Sequence, residues 1–277
     1  MTRKKDMVPA ANISVGHGAT VHETGGHGKP LLTARGVAIG HGKPLLSDIS
    51  MDIAAGECIL LCGPNGSGKS TLLHTFAGVL PPLSGQLQTG NISLIPTRIP
   101  KIPGFTLAEF VRTSLYRDSA WNGRLGKTAE EALGTAMEML DIGPLAGRDI
   151  ATLSDGEFQR GCIATALVRI LLSVPPRHER TPDRAASPSA GTGRGLILLD
   201  EPTAFLDVEG RIQVLQVLKD IVRKTGASIL FSSHDLTDAL SVATRILGIT
   251  PDGRLLEARP EESAGLIDAC FPLYRQR

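Results

Sequence analysis

The sequence predicts an α/β fold in which a mostly parallel sheet carries helices on both faces. The first observation is a pair of short apolar runs, Cys58–Cys62 and Gly195–Leu199. Strands of a parallel sheet are buried on both faces, so they read as unbroken apolar runs. The second observation is that a glycine-rich or an acidic segment follows each run, where parallel sheets hold their ligands. The third is size, because 277 residues, 42% of them hydrophobic, provide a large core.

Two further parts accompany this core. The segment 32–61 contains alternating runs such as Asp48–Ile53, which predict an antiparallel β subdomain. Residues of about 100–165 predict a helical subdomain, because Thr106 begins one helical pattern and apolar residues recur at helical spacing over 128–141. This helical part is expected to be inserted between the two halves of the core.

The remaining segments are expected to lie outside the packed domain. Residues 1–30 are polar and rich in Gly and His, which predicts a flexible extension. Residues 173–195 combine Pro and Arg without an apolar period, which predicts a flexible insertion. A contact from this insertion to a partner or to lipid headgroups is the alternative. One domain is therefore predicted over 31–265, followed by a tail over 266–277.

Charge and hydropathy argue against two classes of function. A net charge of +1 gives no electrostatic reason to expect nucleic acid, and 4% aromatic residues offer few stacking surfaces. The longest apolar stretch, 163–174, is interrupted by polar and charged residues and is too short to span a membrane. We therefore expect a protein that is soluble by itself and depends on another subunit for any membrane span.

Cysteine and histidine leave two alternatives open. The cysteines are Cys58, Cys62, Cys162 and Cys270. They lack metal-ligand spacing, and buried reduced thiols are the expected state, with a redox pair of the first two as the alternative. The N-terminal part holds His17, His22, His27 and His41. A metal site there is conceivable, but the repeated segment Gly-His-Gly-Lys-Pro-Leu-Leu is explained as well by a short duplication.

The segment Gly63–Thr71 fits G-x-x-x-x-G-K-[ST], the phosphate-binding loop of nucleoside triphosphatases. Its glycines let the backbone present N–H groups to a triphosphate, and the following helix turns its positive end toward the anion. Lys69 is expected beside the β- and γ-phosphates, and Ser70 is expected to bind Mg²⁺. The predicted nucleotide-binding residues of the loop are Gly63, Pro64, Asn65, Gly66, Ser67, Gly68, Lys69, Ser70 and Thr71.

Two acidic residues end the second apolar run. Asp200 and Glu201 follow four aliphatic residues, at the carboxyl end of a predicted central strand. Carboxylate oxygens are hard ligands, so Asp200 is suited to hold Mg²⁺ through its water shell. Glu201 is suited to polarise the attacking water. With the phosphate loop upstream, these residues predict hydrolysis of a nucleoside triphosphate.

The segment Leu153–Arg160 makes the resemblance specific, because it resembles the signature of ATP-binding-cassette (ABC) ATPases, in the form LSDGE in place of LSGGQ. The resemblance implies that Ser154 and Gly156 bind the γ-phosphate held by a second copy of the chain, with Asp155 and Glu157 completing the signature. By itself, Ser154 followed by Glu157 is also a capping box that begins a helix.

Two more family marks follow in order. Asp207 lies in a segment that resembles the D-loop, which carries signals between two sites, and His234 resembles the switch histidine. The resemblance implies that His234 contacts the γ-phosphate and orients Glu201, so that Lys69, Glu201 and His234 form the catalytic set. The likeness covers residues 32–262.

Two positions depart from the family pattern. Where the family stacks an aromatic residue on adenine, this chain has His41, whose imidazole offers a smaller face. Where the family has a glutamine that senses Mg²⁺, this chain has Thr97, whose oxygen has a shorter reach. The expected consequences are weaker binding of adenine and hydrolysis that is slower or less tightly coupled to transport.

Within the family, the chain resembles the ATPase subunits of bacterial importers for iron–siderophores, haem and cobalamin. The resemblance implies ATP and Mg²⁺ as cofactors and a head-to-tail dimer with a second copy. It further implies two integral membrane permease subunits, an indirect link to a substrate-binding protein, and a peripheral location at the cytoplasmic face of the bacterial inner membrane. Two alternatives remain: a soluble ABC ATPase of a cytosolic iron–sulfur assembly complex, and a nucleotide-gated interaction module with little turnover.

Overall fold

The computed structural model of the chain describes residues 29–115, 126–172 and 195–272. Their strands are β1 (Leu32–His41), β2 (Lys43–Ile53), β3 (Cys58–Cys62), β4 (Ser84–Thr89), β5 (Ile92–Ile95), β6 (Leu196–Leu199), β7 (Ser228–Ser232), β8 (Arg245–Ile249) and β9 (Leu255–Ala258). Their α-helices are α1 (Lys69–Phe76), α2 (Leu107–Arg112), α3 (Lys127–Met139), α4 (Asp155–Leu172), α5 (Val208–Thr225), α6 (Leu236–Leu240) and α7 (Ser263–Cys270). Short 3₁₀ turns lie at Thr113–Leu115, Gly143–Leu145, Ile150–Thr152 and Pro260–Glu262. The predicted extension up to residue 28, with His17, His22 and His27, and the predicted insertion up to residue 194 lie outside the described residues.

The larger sheet confirms the predicted parallel core. Its strand order is β5-β6-β7-β3-β8-β9, and every pairing is parallel except that of β9 with β8. Every residue of β3, β6 and β7 is buried. Full burial on both faces explains why these strands have no polar alternation in the sequence.

Helices cover both faces of this sheet. Because side chains alternate along a strand, Leu60 and Ile197 pack in one core with α4 and α5. Their neighbours Ile59 and Leu198 pack in a second core with α1 and the smaller sheet. The sheet therefore fixes the positions of α1 and α5 relative to each other, and both begin beside the candidate site.

The smaller sheet confirms the antiparallel subdomain. Its order is β2-β1-β4, and both pairings are antiparallel. The turn from β1 to β2 requires a glycine at position 40, since a Cβ on Gly40 would lie 2.0 Å from the Lys43 carbonyl oxygen. This tight turn presents His41 at the exposed end of β1.

The helical subdomain follows from capping and from one apolar face. Thr106 and Glu109 form a capping box that begins α2. In α3 the buried residues recur at helical spacing. They are Ala129, Ala132, Leu133, Ala136 and Met137. This helix and α2 pack on α4, which connects the subdomain to the larger sheet.

Two further features concern the ends and the thiols of the chain. Helix α7 continues past residue 265, and its Leu266 and Cys270 are buried against the larger sheet. The four cysteines are buried free thiols, as expected. Within the described ranges, no helix is both long and apolar enough to cross a membrane.

Candidate functional site

The loop between β3 and α1 has a backbone that depends on glycine. Gly63, Gly66 and Gly68 have φ angles of 151°, 78° and 103°. A Cβ on Gly63 would lie 2.9 Å from both the Ile249 carbonyl oxygen and Ser67 Oγ. Positive φ angles are strained for other residues, so these glycines allow the loop to curve around the first turn of α1.

Lys69 lies inside this loop. Its side chain is only 6% exposed, and Nζ donates to the carbonyl oxygens of Gly63 at 2.9 Å and Pro64 at 3.1 Å. Burial lowers the pKa of the Lys69 ammonium, and the carboxylates of Glu201 and Asp200 oppose that shift. The ammonium is thus bonded to the loop and lies within the electrostatic influence of the two carboxylates that end β6.

The loop fits a triphosphate and its cation. Ser67 Oγ is buried without a hydrogen-bond partner in the described structure, which leaves a donor for an anion. Ser70 is exposed in the first turn of α1, where helix N–H groups and the helix dipole favour a phosphate. Hydroxyl and carboxylate oxygens at Ser70 and Asp200 are the donor types that Mg²⁺ prefers.

Asp200 is held at the end of β6 from three directions. Its N–H donates to the Ile95 carbonyl oxygen at 3.0 Å, which extends the parallel ladder by one residue. Its Oδ1 accepts a bond from Ser232 Oγ at 2.8 Å, and its Oδ2 accepts one from Thr97 Oγ1 at 3.0 Å. Thr97 therefore reaches the site through Asp200, despite its short side chain.

Glu201 turns out of the sheet immediately after Asp200. Its φ of 49° is left-handed, an uncommon conformation for a residue other than glycine. Its N–H donates to Ser232 Oγ at 2.8 Å, and its Oε2 lies 3.4 Å from Nδ1 of the exposed His234. The predicted acidic residue and the predicted histidine are therefore neighbours.

The signature lies at the N-terminus of α4, and the capping box predicted there is present. Ser154 N–H donates to Glu157 Oε2 at 2.7 Å, and Glu157 N–H donates to Ser154 Oγ at 3.2 Å. The Ser154 N–H lowers the pKa of the Glu157 carboxyl. Lys101 Nζ bonds Asp155 Oδ1 at 2.7 Å, which ties the signature to the segment after β5.

The D-loop lies beside the signature. Asp207 caps α5 by accepting the Gly210 N–H at 2.8 Å. Phe205 has a left-handed φ of 69°, and its ring lies 4.4 Å from the Arg98 guanidinium carbon. The two segments line one open cleft, whose residues are Ser154, Asp155, Gly156, Glu157, Arg160, Phe205, Leu206, Asp207, Glu209, Gly210 and Gln213.

A second cleft borders the phosphate loop. It is formed by the start of β2, the loop itself and the turn between β8 and β9. Its lining residues are Pro44, Leu45, Pro64, Asn65, Gly66, Ser67, Thr250, Pro251, Asp252 and Gly253. His41 lies just before this stretch of β2, and its contact with adenine stays a prediction.

The structure thus places five predicted residues on one side of the site, which we call the wall. They are Lys69, Thr97, Asp200, Glu201 and His234. Ser154, Gly156 and Asp207 line the separate signature cleft.

Two residues beside the wall were not predicted from the sequence. Ser232 binds both acidic residues, and Arg211 of α5 bonds Asp235, the neighbour of His234. The only signal for Ser232 was a polar residue at the end of an apolar strand.

Two features define a P-loop nucleoside triphosphatase. A glycine-rich loop connects a buried strand to a helix, and two acidic residues end a parallel strand of the same sheet. The family model described as ABC transporter matches residues 46–170. The chain is 32% identical over 206 residues to a zinc import ATP-binding protein of Cereibacter sphaeroides, covering 72% of this chain and 70% of that protein. It is 32% identical over 215 residues to a hemin import ATP-binding protein of Rhodopseudomonas palustris, with 72% and 73% covered. The chain therefore belongs to the ABC transporter family, and it binds and hydrolyses ATP.

Other relatives and structures agree with this family. A probable siderophore transport system ATP-binding protein of Bacillus subtilis is 29% identical over 229 residues, which cover 78% of this chain and 75% of that protein. A metal-chelate type ABC transporter in an inward-facing conformation matches with a TM-score of 0.72 at 20% identity, covering 88% of this chain and 90% of that chain. At this identity the structural likeness establishes the shared fold.

Proposed function

We propose that this chain is the ATP-hydrolysing subunit of a bacterial importer for a metal ion or a metal chelate. Relatives with import names support this class of cargo, since they are named for zinc, hemin and siderophore transport. Iron–siderophore, haem and cobalamin remain the first cargoes to test, with zinc added. The cargo itself is selected by other subunits.

One observation carries the proposal: the phosphate loop and the signature, which the family resemblance assigns to one bound ATP, border two separate clefts of the chain. The phosphate loop belongs to one surface, whereas Ser154, Gly156 and Asp207 line the other cleft. In the proposed complete site, the loop of one copy faces the signature of another. The proposed working unit is a head-to-tail homodimer that binds two ATP molecules between its copies.

Each residue of the wall has a distinct task in hydrolysis. The loop N–H groups and Lys69 bind the phosphates, and Ser70 and Asp200, with Thr97 behind it, would hold Mg²⁺. When bound, Mg²⁺ neutralises charge on the transferred phosphoryl group. Glu201 orients the attacking water, and His234 holds Glu201 and contacts the γ-phosphate. Positioning and charge stabilisation provide most of the rate in such reactions.

The remaining partners follow from the proposed role. Two integral membrane permease subunits would receive the dimer at the cytoplasmic face of the inner membrane, and a substrate-binding protein would act from the other side. Closure of the dimer on ATP would move the permeases, and hydrolysis would reset them. No role with nucleic acid is proposed.

Uptake by cells that lack the chain tests the transport role. Accumulation of labelled iron–siderophore, haem, cobalamin and zinc is measured after deletion, and again after complementation with the wild type or Glu201→Gln. The expected result is loss of one uptake activity that the wild type restores and Glu201→Gln does not. Normal uptake of all four, with the chain purified in a soluble complex, would contradict the importer and favour an assembly ATPase.

A further inference from the structure

The end of β7 holds a hydroxyl that contacts both acidic residues of the site. Ser232 Oγ donates to Asp200 Oδ1 at 2.8 Å and accepts the Glu201 N–H at 2.8 Å. The residue is fully buried, with 0% exposed. One side chain therefore fixes the carboxylate of Asp200 and the backbone of Glu201 at the same time.

The position of Ser232 is itself rigid. It ends β7, which lies between β6 and β3 in the larger sheet. The next residue, Ser233, donates its N–H to the Leu61 carbonyl oxygen at 3.1 Å, which keeps the chain in the ladder beyond the strand. A hydroxyl held between two paired strands has little freedom, so it can position the groups that bind it.

Glu201 needs such an anchor because its backbone leaves the sheet. Its φ of 49° is strained for a non-glycine residue, so the surroundings must hold it there. The neighbouring Asp200 donates its N–H to a backbone carbonyl of β5, but Glu201 donates to the Ser232 side chain. This bond orients the turn that directs the Glu201 carboxylate toward His234.

We infer that Ser232 is a positioning residue for ATP hydrolysis, which acts through Glu201 and Asp200 and touches no nucleotide. It holds the left-handed turn at Glu201, so that the carboxylate stands in place before the substrate binds. Thr97 completes the support by binding the other oxygen of Asp200 at 3.0 Å. The inference rests on the proposed role of Glu201 and not on the identity of any transported cargo.

The same strand provides a matched control. Ser228, at the opposite end of β7, is also 0% exposed. Its Oγ donates to the Ala54 carbonyl oxygen at 2.7 Å and accepts the Glu57 N–H at 3.1 Å. Ser228→Ala and Ser232→Ala thus each remove one buried hydroxyl with two partners, at the two ends of one strand. Only the second loss lies beside the acidic residues.

The test compares steady-state Mg·ATP hydrolysis and thermal unfolding of the full chain. We expect Ser232→Ala to lower kcat by about tenfold or more, with KM for ATP changed by about threefold or less. Ser232→Cys, nearly isosteric but a weak hydrogen-bonding group, should be as slow as Ser232→Ala. Ser232→Thr, which keeps the hydroxyl, should recover most of kcat. Ser228→Ala should lower the unfolding temperature by a similar amount and leave kcat near the wild-type value.

A double mutant tests whether Ser232 acts through Glu201. In the Glu201→Gln background, Ser232→Ala should cause a smaller loss than in the wild type, because residues that act as a unit are not additive and only the effect through Asp200 remains. Equal kcat losses in Ser232→Ala and Ser228→Ala, or full additivity with Glu201→Gln, would overturn the inference. Wild-type hydrolysis by Glu201→Gln would instead overturn the proposed role of Glu201, and the inference with it.

Discussion

The wall around Lys69 and the cleft beside Ser154 differ in how completely one chain builds them. Along the wall, Lys69 is 6% exposed and Ser232 is 0% exposed, and their polar atoms bond within the chain. Phe205 at the cleft is 61% exposed, and Ile212, which follows the cleft residue Gly210 on α5 by two positions, is 54% exposed. Folding buries the polar groups at the base of the wall and leaves His234 exposed, whereas the cleft side exposes apolar side chains to solvent.

This difference supports the cleft as the surface that the second copy contacts in the proposed dimer. Burying hydroxyls and carboxylates costs desolvation free energy, which is offset where hydrogen bonds hold them in a defined geometry, as around Asp200. Exposed apolar groups beside a polar cleft are typical of an interaction surface. In the proposed dimer, the wall binds the substrate by itself, and hydrolysis requires the cleft of the second copy.

The wall side of the comparison is tested most strongly by Glu201→Gln. Loss of the carboxylate removes the group that orients water, so we expect hydrolysis to fall by about 10²-fold or more. ATP binding should survive, and the ATP-bound dimer should accumulate on size-exclusion chromatography. Glu261→Gln, an exposed carboxylate outside the site, serves as the control. A monomeric Glu201→Gln chain that hydrolyses ATP normally would contradict the proposed dimeric site.

Lys69→Ala tests the loop itself. The buried ammonium is bonded to two loop carbonyls, so its loss removes a charge-assisted contact to phosphate and loosens the loop. We expect the Kd for ATP to rise by about 10–100-fold, as for a lost charged hydrogen bond. Equilibrium binding of ATP without hydrolysis measures this change. An unchanged Kd would show that the phosphates do not reach Lys69.

The cleft side is tested by placing a charge on the exposed apolar face of α5, the helix whose first turns line the cleft. Ile212 lies one turn after Val208 on α5, and both side chains are exposed. Ile212→Asp should weaken ATP-dependent dimerisation by about tenfold while leaving ATP binding to the single chain intact. Val79→Asp, at a similarly exposed apolar residue after α1, is the control. Analytical ultracentrifugation with ATP in the Glu201→Gln background separates the two variants. Equal dimerisation would place the second copy elsewhere.

The sequence predicted those parts of the wall that lie within a few residues of one another. The loop and the acidic pair are local patterns, and the strand before each of them is recognisable by its apolar run. Ser232 was missed because its role depends on strand order: β7 lies next to β6 only in the folded sheet. The same is true of Arg98 and Phe205, which are far apart in sequence and meet across the site. The cleft likewise depends on packing between α4 and α5, which no short pattern records.

Thr97 lies between the wall and the cleft, and its substitution has the smallest predicted effect on kcat. Its hydroxyl bonds Asp200 on the wall, while the next residue, Arg98, lies over Phe205 at the rim of the cleft. Thr97→Val keeps the shape but removes the bond to Asp200, and it should lower kcat by about two- to fivefold with little change in ATP binding. Thr97→Gln has the reach of the family's usual residue and should raise hydrolysis or tighten its coupling to transport. Coupled and uncoupled ATPase rates measured with the permease present test both variants. If neither rate changes in either variant, Thr97 contributes only to packing, and Ser232 alone holds the Asp200 carboxylate.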